Sequence, residues 1–301
     1  MAITRGAFAA LLAPDLRKVC VGAGLERPME YPNVVNTPSM EWNPITDRYI
    51  SALGTMPTKS EGSQFALDQQ ILGGTKVTEA VSYGLAYEVT REAYEDELYG
   101  QFRAGAKFLG RSSNNRMEVD AWSPFNNAFS SSFLGQDSLA LCHIAHTRLD
   151  GGATTGNRPS PDIGFSVTGL QNALIAFEGM LDERGMPRLM QPSMCIVGPQ
   201  NKFNAREILG SSLKPFTANN EINSLIDEDL TWMVCHYFAS SQGAQWFLTS
   251  PKGVHDINFF VRSAPVFDAF DDPWTGNAIY TVWQRHVASF LDYHGVYGST
   301  G

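Results

Sequence analysis

The sequence predicts an α+β protein, and three observations carry that prediction. Two stretches, about 99–127 and 166–185, repeat their apolar residues at the period of a helix. Short runs rich in β-branched and aromatic residues ("MCIVG", "TWMVCHYF", "QWFLTS", "INFFVR", "PVFDAF") crowd the chain after residue 190. Helix and strand do not alternate in a βαβ rhythm, and no internal repeat is visible.

The elements follow in chain order. Residues 4–24 read as a short amphipathic arm with Phe8, Leu11, Leu12, Leu16 and Val19 on one side, punctuated by Pro14 and ended by Gly22 and Gly24. Residues 26–50 hold Pro28, Pro32, Pro38 and Pro44, which favour an extended segment that buries little of its own surface and leans on something else. Residues 48–82 form two extended runs around a polar centre, Thr58 to Ser63, the pattern of a long hairpin-like excursion. In "YGLAYEVTREAYEDELYG", residues 83–100, the period changes from two to helical at Thr90, a residue suited to an N-cap and followed by an acidic run that a helix dipole favours. A long helix follows, with Phe102, Ala106, Leu109, Met117 and Ala121 at helical spacing, and Pro124 kinks or shortens its end. Residues 130–165 are loop-rich. In "SVTGLQNALIAFEGMLDERG" the buried stripe is Leu170, Leu174, Phe177 and Leu181, with Gly185 at the C-cap. The last long run, "NAIYTVWQRHVASFLDYHGVYGS", is extended and has room for a bulge.

Composition narrows the function. With 301 residues, 43% of them hydrophobic, the chain can bury a core as one large domain or two lobes. The formal charge of -9 argues against a protein whose main work is gripping phosphates, but is compatible with one that merely encloses nucleic acid. Cys20, Cys142, Cys195 and Cys235 lie far apart, so they read as reduced cytoplasmic thiols and not as a disulfide or zinc framework. The apolar run near the N-terminus is too short for a signal peptide and is broken by Pro14 and Asp15. No window approaches the roughly 20 apolar residues of a membrane span, which predicts a soluble chain with no membrane partner.

Fragments that chemistry could use do not converge. Cys142, His143 and His146, with Asp150 nearby, have the makings of a metal site but lack a second cluster, and packing roles outweigh it. "VGAGLER" carries Arg27 where a dinucleotide loop needs its third glycine, and reads as a helix end. "LGGTK" at 72–76 lacks the order of a phosphate loop and reads as a turn in the hairpin. The carboxylates of "DERG" (182–185) and "DED" (227–229) read as solvated acids. The expectation is no catalytic set, no cofactor, no metal and no enzyme.

The chain resembles the major capsid proteins of tailed bacteriophages, in particular the Mu-like major head subunit family. The likeness is carried in order by "MAITRGAFAALLAPDLRKV", "YGLAYEVTREAYEDELYG", "GNRPSPD", "SSLKPFTANNEINSL" and "DYHGVYGS". The resemblance implies the Hong Kong 97 phage-type capsid fold: an N-terminal arm over 1–47, an extended loop over 48–82, a peripheral domain with its spine helix over 83–162, an axial domain over 163–255, and a return to the peripheral domain over 256–301. On this reading the strand of 83–89 is the return leg of the extended loop. The implied function is a head protein that self-assembles into pentamers and hexamers, forming an icosahedral shell around double-stranded DNA without sequence-specific binding. It is assembled in the host cytoplasm and resides in the virion, with portal, scaffold and decoration proteins as partners. No long charged helical segment precedes the arm, so a scaffold is expected to be a separate protein. An acidic inner wall would let the genome slide during packaging. An encapsulin-type nanocompartment shell is the alternative. Phe8, Leu11, Leu12, Leu16, Lys59 and Glu61 are the expected contacts between subunits. Some members of the wider fold join a loop lysine to a neighbour's asparagine with the help of a glutamate. Here Lys59 and Lys76 lie in the loop and Asn277 stands near the asparagine's place, but Gln284 occupies the glutamate's, so a noncovalent shell is expected.

Overall fold

The computed structural model describes residues 8–90, 92, 93, 96, 101–213, 222–239 and 243–301, with side chains from residue 14 onward except 24, 25, 101 and 102. Helix α1 spans Phe8–Leu25, strand β1 Ile45–Ile50, β2 Leu72–Thr78 and β3 Val81–Val89. Helices α2, Gln101–Ala121, and α3, Ser123–Asn126, come next, then α4, Val167–Glu178, β4, Met194–Val197, and α5, Lys202–Gly210. The chain continues through β5, Thr231–Val234, β6, Trp246–Thr249, β7, Ile257–Asp271, β8, Ala278–Phe290, and β9, Val296–Ser299.

These strands form three sheets: the pair β1–β2, the three-stranded β3–β8–β7, and the four-stranded β5–β4–β6–β9. All pairs are antiparallel except β4–β5. The four-stranded sheet is buried on both faces, which explains why its strands read as continuous apolar runs. Cys195, Val197, Trp246 and Leu248 face a cluster with Leu170, Leu174 and Phe177 of α4 and Ala205, Ile208 and Leu209 of α5. Ile196 and Phe247, one residue out of phase, face a second cluster with Trp122, Phe125, Phe259 and Phe290. This second cluster packs against both the three- and four-stranded sheets and so joins the two halves of the molecule.

Helix α2 buries Ala106, Leu109, Met117 and Ala121, the expected stripe, and ends before Pro124, which sits in the first turn of α3. Glu118 on the same helix is 2% exposed. Its carboxylate accepts from Glu30 N at 2.5 Å, Tyr31 N at 3.3 Å and Trp122 Nε1 at 3.1 Å, tying the Pro-rich segment to the spine. Burial raises its pKa and these donors oppose the rise. The segment then runs parallel to β7: Phe259 N donates to Asn36 O at 2.7 Å and Met40 N to Val261 O at 3.1 Å. What the extended segment leans on is therefore, over these residues, the edge of its own chain's sheet.

The structure corrects four local expectations. The return leg of the extended hairpin is β2, paired with β1; β3 pairs along its whole length with β8 instead. "LGGTK" is a strand, not a turn, and its glycines permit close approach: a Cβ at Gly74 would lie 2.0 Å from Gln136 O. Helix α4, N-capped by Ser166 accepting from Gly169 N at 3.1 Å, stops at Glu178, so Leu181 and Gly185 fall in a separate turn closed by a Leu181–Pro187 bridge. The last strand, β9, pairs with β6 and thus lies in the four-stranded sheet, away from the sheet that 257–290 forms. The N-cap at Thr90 is present, its Oγ1 accepting from Ala93 N at 3.3 Å.

Candidate assembly surfaces

The β1–β2 hairpin continues past its ladder as an extended excursion over residues 51–71. Ser51 N donates to Ile71 O at 2.9 Å, and Gly54 N to Asp68 Oδ2 at 2.6 Å. Arg184 meets both Asp68 carboxylate oxygens at 2.6 and 2.7 Å. The Gly54 amide and then Arg184 hold the Asp68 carboxyl below its usual range. Beyond this clasp the excursion has no core. Met56 is 91% exposed, Phe65 82% and Leu67 97%. Lys59 and Glu61 are exposed at the tip, where Lys59 Nζ sits 5.0 Å from the Phe65 ring centre. At the hairpin's base Lys76 is anchored to the body instead, donating to Leu134 O and Phe290 O at 2.8 Å each.

The arm divides. The side chains of Phe8, Leu11 and Leu12 lie outside the described residues. Leu16 is 2% exposed and packs with Cys20, Val89, Ala106, Leu109, Tyr280 and Val282 of its own chain. As a subunit contact it is therefore corrected: α2 and β8 already cover the surface that a neighbour was expected to bury.

Gln284 does not stand beside Asn277 in any working sense. It is 3% exposed, its Oε1 accepting from Ser113 Oγ at 2.8 Å and its Nε2 donating to Ser113 O at 3.2 Å on the spine helix. Glu88, across the strand pair, accepts from Asn277 Nδ2 at 2.6 Å. A carboxylate is thus present at Asn277 after all, supplied by β3, and the missing-glutamate ground for expecting a noncovalent shell does not hold. Lys76, turned into its own subunit, is removed from the pair of loop lysines.

The Cys142–His146 fragment forms a packing site. Cys142 is fully buried, and His146 is held between Asp137 Oδ2, at 2.5 Å from Nδ1, and Asn157 Oδ1, at 3.0 Å from Nε2. Sequence reasoning missed a second charged group. Glu183, Asp292 and His294 are all buried within ligand distance of one another, the only such grouping among the described residues. His294 Nδ1 faces Asp292 Oδ1 at 2.5 Å and Nε2 faces Leu181 O at 2.9 Å. Both ring nitrogens thus meet oxygen acceptors. Arg188 brings its guanidinium 2.7 Å from Asp292. Burial pushes the Asp292 carboxyl up, but His294 and then Arg188 outweigh it and hold the group well below the carboxylate range. The cluster is a buried polar network in which Asp292 meets both His294 and Arg188. Tyr293 stacks between His146 and His294, ring centres 3.6 and 4.1 Å away, so this network locks the 137–157 segment to the 181–188 turn and the C-terminal strands. No sequence signal foretold it, because Glu183 and Arg188 stand more than 100 residues before Asp292 and His294.

Comparison with known proteins agrees with this geometry. A family model described as phage capsid protein matches residues 74–299, about three quarters of the chain. The mature capsid of bacteriophage PhiM1 is similar in fold, with a TM-score of 0.60 at 6% identity over 90% of this chain and 86% of that one. The capsid of the cyanophage P-SCSP1u gives 0.59 at 10% identity over 90% and 88%. A virus-like particle from Pyrococcus furiosus gives 0.52 at 7% identity over 95% and 98%. No curated protein sequence matches the chain. The fold is the Hong Kong 97 phage-type α+β fold, and with the family model spanning both of its larger sheets, the chain belongs to the phage capsid protein family.

Proposed function

We propose that this capsid protein assembles as pentamers and hexamers into the icosahedral shell of a tailed bacteriophage head, enclosing double-stranded DNA. Assembly takes place in the host cytoplasm, with portal, scaffold and decoration proteins as partners. The observation that carries the reading is the excursion over 51–71, which presents Met56, Phe65 and Leu67 to solvent on a backbone clasped only at its neck. Exposed apolar side chains held away from the body are surface for a neighbouring subunit to cover. Lys59 and Glu61 belong to that contact, and Phe8, Leu11 and Leu12 to a second one made by the start of the arm. The division into arm, extended loop, peripheral and axial domains is part of the proposal, with the loop drawn between β1 and β2 and the last strand assigned to the axial sheet. Membership of the Mu-like group rests on the sequence segments that resemble it. Electron microscopy of the purified assembly, with its ultraviolet absorbance, tests the reading. Closed shells with a nucleic-acid spectrum are expected from phage-producing cells; shells holding a co-purifying enzyme would identify a nanocompartment, and an unassembled monomer would defeat both.

A further inference from the structure

The tip of the β7–β8 hairpin holds one aromatic ring away from the body. Trp274 is 94% exposed, in a turn organised by Asp272. The Asp272 carboxylate accepts from Trp274 N at 3.0 Å and from Thr275 Oγ1 at 2.6 Å. Asp272 N donates to Asn277 O at 2.9 Å, its own carbonyl accepts from Gly276 N at 2.8 Å, and Gly276 takes the positive φ of 72° that closes the turn. Such a turn keeps its ring presented and does not let it collapse onto the hairpin. The tip is also acidic: Asp271 and Asp272 lie in it, Glu88 bonds to Asn277 at its base, and no lysine or arginine occurs from residue 263 to 284.

A receptor of the opposite character lies on the same molecule. Helix α1, the 27–29 segment, α2 and the flank of the hairpin enclose a groove of 560 Å³ with Val21, Met29, Met117, Phe267 and Val282 among its walls. Arg17 and Arg27 also line it; both are exposed, and neither makes an ion pair among the described residues. A chain cannot fill its own groove with its own tip. Phe267 pairs with Val282, and the ladder continues unbroken to Asp271–Ala278, which carries the tip about 13 Å farther along a stiff ribbon.

We propose that Trp274 of one subunit docks in this groove on a neighbouring copy, its acidic surround facing Arg17 and Arg27. The inference rests on the shell reading. It adds a head-to-tail contact in which every copy offers one plug and one socket, so that contacts propagate and do not stop at a dimer. A tryptophan seated in an apolar pocket inside a charged rim is the usual make-up of a contact that dominates an interface.

The test has two parts. Because the ring is exposed, Trp274→Ala should leave the unfolding midpoint of the unassembled chain unchanged while reducing the yield of sedimenting particles about tenfold or more. In the second part Trp274 is kept, Pro273→Cys, exposed beside it, is combined with Arg27→Cys, and assembled protein is oxidised. All four native cysteines are buried, so they do not compete. A ladder of linked chains longer than dimers is expected from the double variant and from neither single one. Undiminished yield from Trp274→Ala overturns the proposal, and so does lost yield without a ladder, since the ring would then meet some other surface. If the unsubstituted chain itself forms no particles, the shell reading is what has failed.

Discussion

Lys76 brings a positive charge into the interior, between the rings of Phe133 and Phe290 at 4.7 and 4.4 Å from their centres. Burial lowers its pKa from 10.5 to about 8, against the opposing pull of Asp256. The unfolded chain then holds the proton more tightly than the folded one, so stability rises with pH between the two values and the cost is fully present below the lower. Replacement by methionine removes that dependence. The melting temperature of the native protein minus that of Lys76→Met is expected to climb from pH 8 to pH 10, and a flat difference would show that burial does not burden the amine. Sequence reading saw Lys76 as a loop lysine available to neighbours, because nothing local announces the two carbonyls, from residues 134 and 290, that hold it. Glu183 escaped in the same way: "DERG" looks like a solvated turn until the C-terminal strands close over it.

Among the elements, the arm is the one whose role changes most. Leu16 and Cys20 are buried against α2 and β8, so the later half of α1 belongs to the subunit's own core. Leu16→Ala should cost about 2–5 kcal/mol of stability in chemical unfolding of the unassembled chain. Deleting residues 1–24 should lower the unfolding midpoint markedly, whereas deleting 1–13 should leave it nearly intact and reduce assembly alone; equal midpoints for the two truncations would show that α1 contributes no core. Elements whose signals are local were legible in the sequence: the stripe of α2, the cap at Thr90, and the short strands after residue 190. Their partners were not. The two-residue period marks β3 as a strand but does not say whether it pairs with β2 or with β8, and the choice is made by long-range packing under α2.

For the whole molecule, the clasped excursion makes a separable prediction. Phe65→Asp with Leu67→Asp alters side chains 82% and 97% exposed, so folding of the subunit should be untouched. If both are covered on assembly, each is worth about 1.5–3 kcal/mol, and sedimentation should show far fewer shells. Shells of normal yield and heat stability would exclude the tip from the interface. The buried cysteines carry a last consequence, for a particle's life between hosts. Cys142, Cys195 and Cys235 have no exposed surface and Cys20 only 5%, and burial raises all four thiols, so each is both unreachable and reluctant to form the reactive thiolate. A head built from such subunits meets oxygen outside the cell with no reactive thiol on display, so its cysteines need no reductant to protect them.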